Sequence, residues 1–254
     1  MGGTNVSLKP IIYMSTTTTA KSNRSKKYQA NLIKIQEAQG KNLTISIDKA
    51  VEVLFSLQQP SFKEGAMIEL HLKLNINPTK SDQLVRGSVV LPNGSGKKIR
   101  IAAFVNAENV ELAKKLGAEI AGSEELIEKI KNTEVTDFDI AIAQPDMMKK
   151  LPVIARILGT RGLMPNPKSG TVGDNIEDII KLIKAGKVEF KNDKTGNLHI
   201  ACGKINSSFT TQKIIENIQA AIDAVEKVKP EVIKKKYIIS AHLATTQSPS
   251  IKVI

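Results

Sequence analysis

The spacing of apolar residues near the N-terminal end of the chain indicates a strand with one polar face. From Ala66 to Leu74 apolar and polar residues alternate, so Ile68 and Leu70 lie on one side of the chain and Glu69 and His71 on the other. This period of two predicts a half-buried strand, with one face against a core and the other in solvent.

Further strands are predicted towards both ends of the chain. One covers residues 85–91 and is followed by a turn rich in proline, asparagine and glycine. Two more, 188–191 and 198–201, flank the turn 192–197, which predicts a hairpin. The last strand, 237–243, should pair with the strands near the N-terminus, because an isolated hairpin is only marginally stable in water.

Apolar residues three and four positions apart predict three helices in the same two segments of the chain. The first begins near Lys26. The second follows Ser46, which is a candidate N-cap, and has Val51 and Leu54 on its apolar face. The longest covers residues 210–228.

Between residues 99 and 183 the pattern changes to short apolar runs that alternate with helical segments. The runs are 99–105, 118–120 and 140–143, and the helical segments are 108–116, 124–130, 147–158 and 176–183. Alternating strands and helices predict a parallel sheet covered by helices. The glycine fingerprint of dinucleotide-binding folds is absent after Val105, so we predict no nucleotide there.

The predicted helix 147–158 leads into an unusual segment. We expect the helix to end at Gly159, because glycine readily adopts the left-handed conformation that closes a helix. Residues 159–167 contain two glycines, two prolines and Arg161. Glycine supplies special backbone angles and proline fixes φ, so this segment is predicted to be a rigid, shaped loop.

These patterns predict two domains, of α+β and α/β class. Residues 24–100 and 189–254 together form a discontinuous α+β domain. Residues 101–188 form an inserted, Rossmann-like, three-layer α/β domain. Residues 1–23 are predicted to be an N-terminal extension.

The extension has the composition of a targeting peptide. It is rich in serine and threonine, and the chain has no acidic residue before Glu37. Such a composition is typical of an organelle transit peptide. We therefore predict that the protein is located in an organelle, a mitochondrion rather than a plastid. The bacterial cytoplasm is the alternative location. A low-complexity disordered tail would have the same composition.

Charge is distributed unevenly over the 254 residues, whose net charge is +12. Residues 101–188 hold 12 Lys and Arg against 13 Asp and Glu, a balance of −1, whereas the rest of the chain holds 25 against 12, or +13. A basic domain beside a neutral one indicates an acidic polymer as partner, most readily a nucleic acid. The alternative is that the charge only keeps the protein in solution.

Other features of the composition narrow the class of partner. Aromatic residues make up only 4% of the chain, which disfavours stacking on single strands and favours recognition of folded RNA by shape, phosphates and 2′-hydroxyls. The single Cys202 rules out an intrachain disulfide framework. The three histidines lack the spacing of a metal site, and no apolar run approaches the roughly 20 residues of a membrane span.

Motifs for enzymatic chemistry are weak. Ser46–Lys49, Ser81–Gln83 and Lys194–Gly196 occur in the order of the serine β-lactamase motifs, but the second is not intact and the third lies in a turn. Gly94–Lys97 lacks the other residues of a Walker A loop, although a backbone nest there could meet an RNA phosphate. An enzyme in the middle domain would need polar groups at its strand ends, where only two charged residues follow the third strand.

Longer motifs resemble one ribosomal protein family along most of the chain. One such motif is the segment Gly159–Val172, with the sequence G-T-R-G-L-M-P-N-P-K-S-G-T-V. It closely resembles the signature of a universal ribosomal protein, the first-numbered protein of the large subunit, in its bacterial form. That protein belongs to the mobile stalk beside the tRNA exit site. Further blocks match in the same order: S-K-K-Y at 25–28, S-D-Q-L-V-R-G-S at 81–88, L-P-N-G-S-G-K at 91–97, F-K-N-D-K-T-G at 190–196 and E-N-I at 216–218. The resemblance covers about residues 24–254.

The resemblance implies a structural, non-enzymatic protein that needs no cofactor or metal. It implies that the discontinuous domain binds large-subunit rRNA at the stalk. It also implies that the stalk moves as deacylated tRNA leaves the exit site. Other ribosomal components, the exit-site tRNA and the protein's own mRNA, whose translation it would repress, are further implied partners. No membrane is implied. The loop around Arg161 would either contact the exit-site tRNA or only shape its domain.

The resemblance also assigns RNA contacts to positions that match the family's pattern. They are Phe62, Lys63, Glu69, His71, Lys73, Arg86, Lys191, Asp193, Lys194, Thr195, Ser240, Thr246, Gln247 and Ser248. Phe62 could instead be a core contact. Glu69 suits an RNA face if it orients a lysine or accepts from a ribose hydroxyl or a base amine.

Two departures from the family's pattern affect these contacts. The segment after Phe62 is slightly longer than in the usual bacterial form, which blurs the match of Phe62 and Lys63. The family's C-terminal T-M-G is here Thr246-Gln247-Ser248. Gln247 replaces an apolar contact by a hydrogen-bonding group, and Ser248 places a Cβ where glycine would allow close approach. We therefore expect weakened or altered RNA contact at this turn.

Overall fold

The computed structural model describes residues 24–40, 44–63, 65–206 and 208–254. The helices are α1 (Lys26–Gln39), α2 (Ile47–Ser56), α3 (Val110–Lys115), α4 (Glu124–Thr133), α5 (Pro145–Met148), α6 (Ala155–Thr160), α7 (Ile176–Lys184) and α8 (Thr211–Lys227). The strands are β1 (Ala66–Leu74), β2 (Arg86–Val90), β3 (Ile101–Phe104), β4 (Ile120–Gly122), β5 (Ile140–Ala143), β6 (Lys187–Lys191), β7 (Asn197–Ile205), β8 (Ile238–Thr245) and β9 (Ile251–Lys252). They form sheets with the strand orders β7-β1-β8-β9, β2-β6 and β4-β3-β5.

Strand β1 lies inside the four-stranded sheet and has the predicted bounds and alternation. Its residues are alternately buried and half-exposed from Ala66 to Leu74. It pairs antiparallel with β7 on one side and with β8 on the other, and β8 pairs with β9. The prediction that the last long strand pairs near the N-terminus is confirmed, because β1 and β8 come from opposite ends of the chain.

One hydrophobic core contains residues from both ends of the chain. It includes the buried side chains of Leu54, Leu70, Phe190, Ile218 and Leu243. Burying one such side chain stabilises the folded state by roughly 1.5–3 kcal/mol, so these contacts hold the two distant segments together. This core supports the discontinuous domain, whose bounds stay a prediction.

The middle of the chain forms the predicted parallel sheet, since β3 pairs in parallel with both β4 and β5. Phe104 of β3 packs into a cluster with Leu158 of α6 on one face. Ile101 of β3 packs with Ile142 and Ile183 on the other face. The sheet is therefore the central layer between two layers of helices, which confirms the α/β class beside the α+β part.

The predicted single helix at 147–158 is wrong. The structure has α5, a 3-10 helix at Leu151–Ile154 and then α6. Pro152 has no backbone N–H and disfavours helical geometry in the residue before it, so the helix is interrupted. The predicted end at Gly159 is also wrong, because α6 continues to Thr160 and the left-handed glycine is Gly162, with φ 71°.

The predicted hairpin at 192–197 forms a turn, but its strands do not pair as expected. β6 pairs with β2, and β7 pairs with β1. Asn192 ends the β2-β6 ladder: its N–H donates to the Val85 carbonyl, and its Oδ1 accepts from the Val85 N–H at 2.8 Å. The chain therefore passes from one sheet to another at this turn.

Smaller differences concern the ends of elements. Ser46 occupies the N-cap position of α2, but its side chain makes no capping hydrogen bond. The strand predicted at 118–120 lies at β4, two residues further on. The two-residue strand β9 has no signal of its own in the sequence pattern.

None of the helices in the described ranges combines the length and apolar character that a membrane crossing requires.

Candidate nucleic-acid interface

One face of the β7-β1-β8-β9 sheet carries several predicted contact residues. Glu69, His71 and Lys73 are half-exposed on the side of β1 that faces away from the core. Ser240 of β8 lies directly opposite Lys73 in the strand pairing. We call this side of the sheet the polar sheet face; it carries Glu69, His71, Lys73, His199, Ser240, His242 and Lys252.

The turn after β6 is shaped by Asp193. The Asp193 carboxylate accepts hydrogen bonds from the backbone N–H groups of Thr195 and Asn197, both at 2.8 Å, and from their side chains. The hydrogen bond from the Asn197 N–H, followed by those from Thr195, holds the pKa of this carboxyl well below its ordinary value. The Gly196 N–H donates to the Asp193 carbonyl and closes the turn. Asp193 therefore holds the exposed Lys194 and Thr195 in place.

Lys73 joins this turn to the polar sheet face. Its Nζ donates to the Thr195 carbonyl at 2.5 Å. An ammonium group has three protons, so two remain for other acceptors. The structure thus brings Lys73 and the 193–195 turn together as neighbours.

A pair of cations lies on the short β2-β6 sheet beside the same turn. Arg86 is directly opposite Lys191 in the strand pairing. Like charges in this position repel each other, and Glu189, 3.8 Å from the Arg86 guanidinium, offsets only part of the charge. A phosphate group beside Arg86 and Lys191 would reduce the remaining repulsion between them.

The turn at 245–248 lies at the other end of β1. The Thr246 N–H donates to the Met67 carbonyl at 3.0 Å, and the Thr246 hydroxyl accepts from the Met67 N–H at 3.1 Å. The Ser248 N–H donates to the Thr245 carbonyl at 2.9 Å, which closes a β-turn. Gln247 occupies its third position with φ 68°, a left-handed conformation that favours glycine or asparagine.

The Ser248 side chain stabilises this turn. Its Oγ accepts from the Thr245 N–H and donates to the Pro249 carbonyl, both at 2.9 Å. The residue that needs special backbone angles is therefore Gln247, whereas Ser248 contributes a hydroxyl as well as a Cβ.

Phe62 is 46% exposed, which excludes the alternative that it is a core contact. It lines an open hollow of about 600 Å³ together with Gln247, Arg24, Lys27 and Tyr28. The neighbouring Lys63 is exposed. Sequence reasoning did not single out Arg24 or Lys27 as contacts, although the S-K-K-Y block was a signal for this segment.

The predicted contacts form one extended surface. The exposed side of β1 runs from Met67, beside the 245–248 turn, to Lys73, beside the 193–195 turn. Six steps of about 3.3 Å separate the two ends, or about 20 Å. Phe62 and Gln247 lie at one end of this surface, and Lys194 lies at the other.

Sequence reasoning missed the arrangement of the three histidines, which lie far apart in the chain. His71 is directly opposite His199 on β7 and His242 on β8. Burial lowers the pKa of His71, and the neighbouring His199 lowers it further. Burial and Lys252 lower the pKa of His242. Only the pairing of the strands could have revealed this row.

The described residues contain no group of three or more His, Cys, Asp or Glu able to hold a metal ion.

The middle of the chain approaches the polar sheet face at the Met67 end. Met67 and Ala201 line a cavity of about 310 Å³ together with Ile140 and Met164. Lys97 of the Gly94–Lys97 loop lies 3.4 Å from Asp139. This lysine is therefore already paired within the protein.

The other motifs of the middle segment lie on its surface. Arg161 is exposed and donates a hydrogen bond to the Thr136 hydroxyl. Asp146 and Lys149, which follow β5, are 4.0 Å apart and largely exposed. The structure therefore provides no enclosed arrangement of these two groups.

Comparison with known proteins shows which family this sequence resembles. Residues 15–249 match the model of the Ribosomal protein L1p/L10e family. A large ribosomal subunit protein uL1 of Kosmotoga olearia is 45% identical over 91% of this chain and 96% of its own length. The proteins of the same name from Persephonella marina and Thermus thermophilus are each 44% identical, over 91% and 90% of this chain and 93% and 96% of their own lengths.

The fold and these similarities define a structural ribosomal protein rather than an enzyme. The chain belongs to the Ribosomal protein L1p/L10e family, in the group of bacterial large-subunit proteins called uL1. The named relatives are all bacterial, which supports the bacterial alternative and does not support the preference for a mitochondrion. The predicted transit peptide falls in residues 1–23, which lie outside the described residues, and the family match begins within it.

Proposed function

We propose that this protein binds a folded segment of large-subunit rRNA at the ribosomal stalk through the polar sheet face and the turns at its two ends. The observation that supports this is the single surface, about 20 Å long by strand geometry, that β1 forms between Thr246 and Thr195. Membership of a ribosomal protein family supports ribosomal RNA as the class of RNA that is bound.

The side chains of this surface suit backbone recognition of folded RNA. Lys73, Arg86, Lys191 and Lys194 would contact phosphates, which contribute most of the affinity. The hydroxyl groups of Thr195, Ser240 and Thr246 would bond to ribose 2′-hydroxyls. The exposed ring of Phe62 and the neighbouring Gln247 would pack against the RNA at the other end. Glu69 lies 3.7 Å from the His71 ring nitrogen, so its charge acts on this histidine, without a hydrogen bond between them.

Other parts of the proposal concern tRNA and mRNA. The inserted middle domain, with its exposed Arg161 loop, would contact exit-site tRNA and assist its release when deacylated. The polar sheet face would also bind the protein's own mRNA if that RNA presents a similar fold, and this would repress translation. The bacterial relatives support a place on bacterial ribosomes in the cytoplasm.

The test is a titration of the full chain with a bacterial large-subunit stalk rRNA fragment at several salt concentrations, with tRNA as competitor. Each lost lysine–phosphate contact should reduce the slope of log K against log salt by about 0.7–0.9. We expect this reduction for Lys191→Gln and for Lys194→Gln.

Lys149→Gln is the matched control, because Lys149 is largely exposed on the middle segment and is not part of the polar sheet face or its turns. It should leave the affinity and slope unchanged. Stalk RNA binding no tighter than tRNA binding, or equal effects of all three variants, would contradict the proposed interface.

A further inference from the structure

All three histidines of this chain lie in one row on the polar sheet face. His199, His71 and His242 occupy paired positions on β7, β1 and β8, and Lys252 on β9 is paired with His242. We call these four residues the histidine row. The row crosses three gaps between strands of about 4.8 Å each, or about 14 Å in all.

His71 and His199 are coupled through their ring nitrogens. Their Nδ1 atoms are 2.8 Å apart, and the ring centroids are 5.0 Å apart with an interplanar angle of 65°. A hydrogen bond at this distance requires one proton between the two nitrogens. The pair can therefore be neutral or carry a single positive charge with the bond intact. A second charge would force two N–H groups against each other, so the pair carries at most one positive charge while the bond is intact.

Burial and the charged groups around the row act in opposite directions on its charge in the free protein. The partly exposed Glu69 and Asp193 lie 3.7 and 3.8 Å from the Nε2 atoms of His71 and His199. Lys73 lies on the same side of β1, and Lys252 flanks His242. Burial and the neighbouring histidines keep the pKa of His71 below the ordinary value although Glu69 raises it, and burial and Lys252 do the same for the pKa of His242. Both residues are therefore mostly neutral near pH 7.

The row lies between the two turns of the proposed RNA surface. His71 is two residues from Glu69 and two from Lys73 on the exposed side of β1. An RNA seated on both turns would therefore pass over the row, and its phosphates would supply the negative charge that the free protein provides only in part. A nearby phosphate favours the protonated form of a histidine.

We propose that the histidine row is a phosphate contact of the RNA interface that takes up protons when RNA binds. This inference rests on the proposed RNA-binding function and adds His199, His242 and Lys252 to its contacts. The coupled pair accepts one proton and His242 accepts another. Binding should therefore tighten as the pH falls, with the uptake of up to two protons.

The test compares the full chain with the variant H71Q/H199Q/H242Q, using the stalk rRNA fragment at pH 7.5 and pH 6.0 and constant salt. Between these pH values the affinity of the parent protein should rise by up to about fourfold for each site whose pKa RNA raises by one unit, because the interval covers only part of the titration. The triple variant should lose most of this rise. It contains no other side chain that ordinarily titrates in this range, because these are the chain's three histidines and Cys202 has its pKa raised to about 12.

Lys191→Gln is the matched control, because it removes a permanent charge from the proposed RNA surface outside the histidine row. It should weaken binding equally at both pH values and leave the pH dependence intact. NMR titration of the three imidazoles in the parent protein, with and without RNA, tests the same inference without any substitution. His71 and His242 should each show a higher pKa with RNA.

The possible results separate the inference from the function on which it rests. Tight binding with equal pH dependence in the parent and the triple variant, or imidazole pKa values unchanged by RNA, overturns the proton-linked contact and leaves RNA binding standing. Absence of specific RNA binding by the parent at both pH values overturns both.

Discussion

The turn at 245–248 shows how single residues set the shape of the proposed interface. Gln247 adopts left-handed backbone angles, which cost a residue with a Cβ roughly 1 kcal/mol or more relative to glycine. The hydroxyl of Ser248 bonds to both neighbouring backbone groups, at Thr245 and Pro249. These bonds offset part of that cost, so the turn keeps its form without a glycine.

Replacing Ser248 tests whether its Cβ limits RNA contact. Ser248→Gly should tighten binding to the stalk rRNA fragment, because it removes the Cβ, and should lower the free energy of unfolding by about 1 kcal/mol, because it removes the hydroxyl bonds. Filter binding and urea unfolding measure the two effects. Ser248→Ala keeps the Cβ and should lose similar stability without gaining affinity. A glycine variant that binds no tighter than the parent would count against the predicted steric effect.

At the scale of elements, Asn217 ties helix α8 to its surroundings. Its side chain is fully buried, although α8 is otherwise apolar on that side. Nδ2 donates to the carbonyls of Gly94 and Cys202 at 2.9 and 2.7 Å, and Oδ1 accepts from the Asn93 N–H at 3.0 Å. One side chain thus satisfies backbone groups of the 91–96 loop and of β7, which explains an asparagine in the E-N-I block.

Removing these bonds should destabilise the whole fold. Asn217→Ala leaves three backbone groups without their partners in a buried site, and we expect the free energy of unfolding to fall by about 3 kcal/mol. Chemical denaturation measures this loss. Gln219→Ala, on the exposed side of the same helix, should change stability by no more than about 0.5 kcal/mol. Equal losses in the two variants would show that the buried bonds are not the cause.

At the scale of the whole molecule, stability and charge are linked through the histidine row. The pKa of His71 and of His242 is lower in the folded protein than the ordinary value of 6.5. The unfolded chain therefore binds more protons than the folded protein as the pH falls through this range. The contribution of these groups to stability is greatest above pH 6.5 and declines as the pH falls towards their folded pKa values.

Thermal unfolding of the free protein should show this linkage. We expect the midpoint temperature to fall between pH 7 and pH 5, and to fall less in H71Q/H199Q/H242Q, which lacks the titrating imidazoles. RNA should reduce the pH dependence of the parent, because phosphates favour the protonated imidazoles. A parent and variant with the same pH profile would show that the histidine row does not affect stability in this range.

Local patterns were sufficient for elements whose signal lies within a few residues. The alternation of Ala66–Leu74 predicted β1 because burial of one face imposes a period of two on the side chains. The helix predicted at 147–158 was wrong because the apolar spacing ignored Pro152, which interrupts the backbone hydrogen bonds. The hairpin at 192–197 was wrong because turn composition does not specify which strand each flanking segment pairs with.

The sequence by itself determined most of the local elements, the parallel sheet of the middle segment, the excess of positive charge on the two chain ends and the family resemblance. The exposure of Phe62, the left-handed Gln247 and the alignment of three distant histidines were decided only by the tertiary structure. The physical reason is that periodicity and charge belong to neighbouring residues, whereas the register between strands depends on the packing of distant segments around a shared core.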